Sequence, residues 1–175
     1  MTRGHSVLQV PVPELDGFVR GRTAHYDPAY LSADPDLVHA HVTVLGPFLP
    51  EVDDDAATQV ARVAASVPPF AFTLQRMSTF PDGIIHLLPD PADGFRQLTD
   101  GLCAAFPACR PYEGRFEPEP HLTLDLTSPS VSETSTRGAL SLPVSCHADR
   151  VDLVWYEPGR CRRLRSWPLG VGAGS

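Results

Sequence analysis

The chain has 175 residues, 42% of them hydrophobic, which suffices for a sizeable core and is too apolar for a disordered segment. Its net charge of −7, with every Lys/Arg position filled by arginine, disfavours a protein that grips long nucleic acid through its phosphates; a local basic spot could still hold one phosphate. No apolar run approaches membrane-spanning length and no charged-then-apolar leader opens the chain, so a cytoplasmic protein without a membrane partner is expected. Cys103, Cys109, Cys146 and Cys161 form no C-x-x-C pair and read as reduced thiols; Cys146-His147 has no partner spacing for a metal.

In chain order, "SVLQVPVPE" (Ser6 to Glu14) forms a strand whose prolines predict an edge position or an early stop. "VRGRTAHYDPAYLSADPD" mixes charge, glycine and proline, and predicts at most a helical turn near Pro28 to Leu31. "HVTVLGPF" (His41 to Phe48) is a strand stopped by Gly46-Pro47. Alternate strand residues share a face, so Val42 and Val44 point one way and His41 and Thr43 the other. "DDDAATQVARVAAS" predicts an amphipathic helix with acids at its N-terminus, ended by Pro68-Pro69. "FAFTLQRMSTF" alternates as a half-buried strand, and "IIHLL" after Pro81-Asp82-Gly83 is the return arm of a hairpin.

"ADGFRQLTDGLCAAF" reads as a helix with Phe95, Leu98, Leu102 and Phe106 on one side, followed by the extended loop "PACRPYEGRFEPEP" and the strand "HLTLDL". "SVSETSTRGAL" predicts a short helix capped by Ser130 or Ser132. "PVSCHADRVDLVWYEPG" and "CRRLRSWPLG" predict two strands around Pro158-Gly159. The run Arg160, Arg162, Arg163 and Arg165 fits a solvated strand edge, and the tail 170–175 a flexible end.

"HLTL" at His121 answers "HVTV" at His41, and the order of elements around the two can be traced twice, roughly over 6–78 and 84–156. This predicts one domain, 1–169, built as an internal duplication with the two motif strands facing each other across a cleft. One H-x-T-x alone is weak evidence, since such tetrapeptides arise by chance. Two in matched contexts supply a neutral imidazole to take a proton and a protonated one to give it, which displacement at a phosphodiester requires. The threonine hydroxyls can donate to the non-bridging phosphate oxygens, and the arrangement requires no metal or other cofactor.

The pair "HVTV" and "HLTL", with "AHVTVLGPFLP", "EPHLTL" and "RTAHYDP" around them, resembles the two-histidine (2H) phosphoesterase superfamily, in its 2′-5′ RNA ligase-like and cyclic phosphodiesterase branch. The resemblance covers nearly the whole chain. It implies a bilobal, pseudo-twofold α+β domain with a mostly antiparallel sheet in each lobe, outer helices and a central cleft. It implies His41 and His121 as the catalytic acid–base pair and Thr43 and Thr123 as phosphate-binding residues. The implied activity is hydrolysis of a 2′,3′-cyclic phosphate or 2′-5′ phosphodiester in a nucleotide or short RNA, usually leaving a 2′-phosphate, or ligation in reverse. A monomer is expected. Two features depart from many relatives: Asp125 follows the second motif with only Arg115 as nearby positive charge, and His86 stands where an aromatic residue is common.

Three further readings stay open on the sequence alone. "HAH" places His39 and His41 at metal-ligand spacing on one strand face, but does not explain the threonine that follows each motif histidine. His86 reads as a core or rim histidine, and Phe48, Phe80, Tyr112, Phe116 and Trp155 as mostly core, although any could stack on a base. A non-catalytic nucleotide- or phosphate-binding module, and a tailoring phosphodiesterase of small-molecule metabolism, would share the fold.

Overall fold

Alternating apolar residues set the strands, and the strands join edge to edge. The structure, a computed structural model, describes residues 4–111 and 119–170. Its strands are β1 (His5–Pro11), β2 (His41–Leu45), β3 (Phe70–Thr79), β4 (Ile84–Asp90), β5 (Leu122–Leu126), β6 (Val144–Ala148), β7 (Arg150–Tyr156) and β8 (Arg162–Pro168). Its helices are α1 (Asp16–Tyr26), α2 (Asp54–Ser66), α3 (Asp93–Ala105) and α4 (Glu133–Gly138).

Among the described residues, eight strands form one antiparallel sheet, ordered β6-β3-β4-β5-β2-β1-β7-β8, so the fold class is α+β as expected. Two four-stranded halves meet at β2 and β5, where Val42 opposite Leu122 is the one paired position. Each half borrows a strand: β3 follows β2 in the chain but pairs with β4 and β6, while β7 pairs with β1 and β8. β6 ends the sheet on one side and β7 is next to last on the other, yet only Asp149 separates them in sequence. One residue spans about 3.5 Å, so the sheet must curl until its ends approach.

The core lies on one face of this sheet. Val42, Val44, Leu122 and Leu124 are buried there beneath Phe95, Leu98 and Leu102 of α3 and Val60 and Ala64 of α2. The Asp53 side chain caps α2 by accepting from the Ala56 amide at 2.8 Å. α2 and α3 approach closely because Gly101 has no side chain; a Cβ there would lie 2.8 Å from Cγ1 of Val63. Among the described residues no helix is long and apolar enough to cross a membrane.

One alternative is decided and two expectations are corrected. β1 is a central strand, between β2 and β7: Pro11 is its last residue and Pro13 opens a 3-10 turn, so the prolines mark its end rather than an edge. Asp16–Tyr26 is a helix, not an irregular stretch, although the turn at Pro28–Tyr30 is present. α1 buries no residue fully and so has no apolar stripe to read. Polar contacts hold it instead: Asp16 accepts from the His39 amide at 2.6 Å, and Arg20 donates to the Leu37 carbonyl at 2.7 Å. Finally, "PVSCHADRVDLVWYEPG" is two strands, β6 and β7, because the chain changes partners at Asp149. Tyr112, Arg115, Phe116 and all of the tail beyond Gly170 lie outside the described residues.

Candidate active site

His41 opens β2 and Thr43 follows on its half-buried face, with Val42 and Val44 buried behind them. His121 immediately precedes β5, where Leu122 and Leu124 are buried and Thr123 is exposed. Because β2 and β5 run antiparallel with Val42 opposite Leu122, the register sets His41 across from Thr123 and Thr43 across from His121. All four side chains therefore belong to the face opposite the core, at the seam between the two halves of the sheet.

The two rings are anchored alike. His41 Nδ1–H donates to the carbonyl of His39 and His121 Nδ1–H to that of Glu119, each at 2.7 Å. A carbonyl oxygen can only accept, so Nδ1 carries the proton of each neutral ring and Nε2 is its basic nitrogen. Their electrostatic settings differ. Burial pushes His41 down to about 4; the His39 carbonyl bond opposes this, and positive charge on His121 or His39 adds to it. His121 is also lowered by burial, but its bond to the Glu119 carbonyl and the carboxylates of Glu119 and Asp82 pull back toward the charged form.

Comparison with known proteins fits this geometry. A family model described as the 2′-5′ RNA ligase superfamily matches residues 11–160, a span that includes both H-x-T strands. The chain belongs to the 2′-5′ RNA ligase superfamily. Several solved structures share the fold at low identity. E. coli LigT complexed with 3′-AMP is 22% identical, with a TM-score of 0.60 over 94% of this chain and 97% of that one. E. coli LigT complexed with ATP is 20% identical, with a TM-score of 0.56 over 95% and 99%. TT0787 of Thermus thermophilus is 20% identical, with a TM-score of 0.62 over 95% and 98%. No curated protein matches the chain.

Strand pairing also brings to this face residues that the motifs did not point to. Gln9 lies opposite Thr43 in the β1–β2 ladder, is fully buried, and accepts from the Tyr156 hydroxyl at 2.7 Å. The Tyr156 ring lies 6.2 Å from that of His41. On the other half, His86 is opposite Thr123 in the β4–β5 ladder, stacks on Phe80 at 3.7 Å and meets His121 at 5.4 Å. His86 is thus a neighbour of the candidate site as well as a buried residue. A signal for both Gln9 and His86 was present: each is a lone polar residue in a buried apolar strand, "VLQVP" and "IIHLL".

The alternative use of His39 is not what the structure shows. His39 lies before β2 begins, is buried, and its Nε2 accepts from the Ser32 amide at 3.1 Å. Among the described residues no group of three or more His, Cys, Asp or Glu converges as a metal site needs. Asp125 is engaged by Arg22 of α1, whose Nε lies 2.7 Å from its carboxylate. A cavity of about 350 Å³ opens beside Thr43, between Gly46, Arg96, Thr99 and Pro120. A larger one of about 810 Å³ is bordered by neither motif histidine, and its arginines Arg76, Arg96 and Arg137 are balanced by Asp90, Asp93 and Glu119.

Proposed function

We propose that this chain is a phosphoesterase that hydrolyses a 2′,3′-cyclic phosphate or a 2′-5′ phosphodiester, in a nucleotide or short RNA, by two-histidine acid–base catalysis. The observation that carries the reading is the β2–β5 register, which puts an imidazole and a hydroxyl from each motif on one face at one seam. The nucleotides held by E. coli LigT, 3′-AMP and ATP, support a nucleotide-type ligand for the shared fold. The repeated order strand, helix, motif strand, helix, strand supports reading 1–169 as one domain with duplicated halves.

The electrostatic asymmetry divides the work. His41, kept neutral, takes a proton on Nε2 from water as the water oxygen attacks phosphorus. His121, with the carboxylates of Asp82 and Glu119 nearby, gives its Nε2 proton to the departing ribose oxygen as the P–O bond breaks. Thr43 and Thr123 donate hydrogen bonds to the non-bridging oxygens, which carry the charge throughout. Ligation is the same path reversed, with the proton roles exchanged. The imidazole pair provides both acid and base, so turnover should survive EDTA. The test is a panel of 2′,3′-cyclic nucleotides and 2′-5′ dinucleotides with and without chelator. Turnover of at least one substrate class, undiminished by EDTA and abolished in His121→Ala, is expected. Full activity without His121, or zinc-dependent recovery after chelation, would overturn the mechanism.

A further inference from the structure

His86 occupies a position that packing alone does not explain. It is 2% exposed in the strand Ile84-Ile85-His86-Leu87-Leu88, where an apolar side chain would fill the space without burying an imidazole. Its Nδ1–H donates to the carbonyl of Ile84 at 3.2 Å, the same two-residue-back anchor used by His41 and His121. Adjacent strands β4, β5 and β2 thus each bring one backbone-anchored imidazole to the region of the site.

Among the described residues, Phe80, His86 and His121 touch one another pairwise. One face of His86 lies flat on Phe80, with centroids 3.7 Å apart and planes 16° from parallel. His121 stands edge-on to both, 4.9 Å and 83° from Phe80 and 5.4 Å and 69° from His86. Edge-to-face contacts at this spacing are favourable and directional, so the stacked pair resists rotation of the third ring. The anchor to Glu119 constrains His121 at Nδ1, and the ring pair constrains the plane about that anchor.

We propose that His86 is a positioning residue for His121: stacked on Phe80, it fixes the plane of the His121 ring and so the direction of its Nε2. The proposal rests on the acid role given to His121 above. A second consequence follows from the same contact. Two imidazoles this close disfavour simultaneous positive charge, so His86 makes the His121 proton easier to give away. Among the described residues, the carboxylates of Glu119 and Asp82 also bear on His121 and favour its charge. Across the seam, positive charge on His121 disfavours charge on His41.

The test compares His86→Ala, which removes the ring and its titratable nitrogens, with His86→Phe, which keeps a ring for the stack. For His86→Ala, kcat is expected to fall about 10- to 100-fold, the scale of a misplaced catalytic group, with KM within about threefold of wild type. His86→Phe should recover at least about tenfold of that loss, while the pH limb assigned to His121 moves to higher pH because a second imidazole no longer opposes its charge. Histidine-selective NMR titration of His121 in wild type and His86→Phe reads that move without turnover, and serves if His86→Ala fails to fold. It also separates this proposal from the proposed function: a substrate panel without turnover defeats the function, whereas a His121 titration unmoved in His86→Phe defeats the coupling. Wild-type kcat in His86→Ala, or equal kcat in the two variants, would overturn the positioning role.

Discussion

His41 and His121 share a backbone anchor, a threonine two residues on and one face of the sheet, yet their surroundings differ. His41 begins a strand hydrogen-bonded on both sides, to β1 and β5, and its ring neighbour is Tyr156, whose hydroxyl is committed to Gln9. His121 stands just outside β5, against Phe80 and His86, with Asp82 and Glu119 supplying negative potential. Near-identical tetrapeptides thus receive different proton affinities from what packs around them. A repeated motif gives symmetry of position, and the environment gives asymmetry of electrostatic setting.

The sharpest way to break that comparison is to vary the leaving group. His41→Ala is expected to lower kcat by about 10²- to 10⁴-fold on every phosphodiester, because the base is needed whatever departs. His121→Ala should lose as much on a ribose leaving group but far less on a p-nitrophenyl ester, whose phenolate departs without a proton. Equal losses from both variants on both esters would mean that the roles are not divided. Next in size are Thr43→Val and Thr123→Val, expected to lower kcat about ten- to a thousand-fold if each hydroxyl acts like one oxyanion donor.

The pH dependence of kcat/KM should show the same asymmetry in free enzyme. The base must be neutral, so activity rises as pH climbs through the His41 value of about 4. The acid must be protonated, so activity falls as pH rises through the His121 value, which burial places below the ordinary 6.5. The bell is therefore displaced to the acidic side of what two unperturbed imidazoles would give. An optimum at or above about pH 7.5 would contradict it.

Much of this site was legible in the sequence because a strand has a period of two. H-x-T-x with apolar alternates says which side chains share a face, and a second copy marks that face as the candidate site. The pairing of strands was not legible. That Thr123 lies opposite His86 and Thr43 opposite Gln9 depends on which strands become neighbours, and β3 and β7 each cross to the other half of the sheet. α1 was missed for a different reason. Helix signals in sequence are mostly signals of an apolar stripe, and Asp16–Tyr26 is held by carboxylate, guanidinium and hydroxyl contacts instead.

α1 also supports the two motif strands unequally, which sets the smallest expected effect. Arg22 reaches Asp125 with Nε at 2.7 Å, and Asp125 keeps only 5% of its side-chain surface exposed against 27% for Arg22. Arg22 also lies 4.9 Å from the Tyr26 ring centre, and the Tyr26 hydroxyl donates to the Leu126 carbonyl at 3.1 Å. These contacts reach β5 itself, which otherwise pairs with β4 and β2, whereas the contacts of α1 toward β2 stop at the His39 and Ala40 amides that precede it. Asp125→Asn removes the charge but keeps the shape, leaving Arg22 without its carboxylate. A cost of about 1–3 kcal/mol in urea unfolding is expected, the scale of a charged hydrogen bond lost from a buried site. Pairing it with Arg22→Met should recover part of that cost, because no unpartnered charge then remains under α1. Hydrogen exchange should place the loosening in β5 rather than β2; equal loosening of both strands would show that α1 braces the seam as a whole.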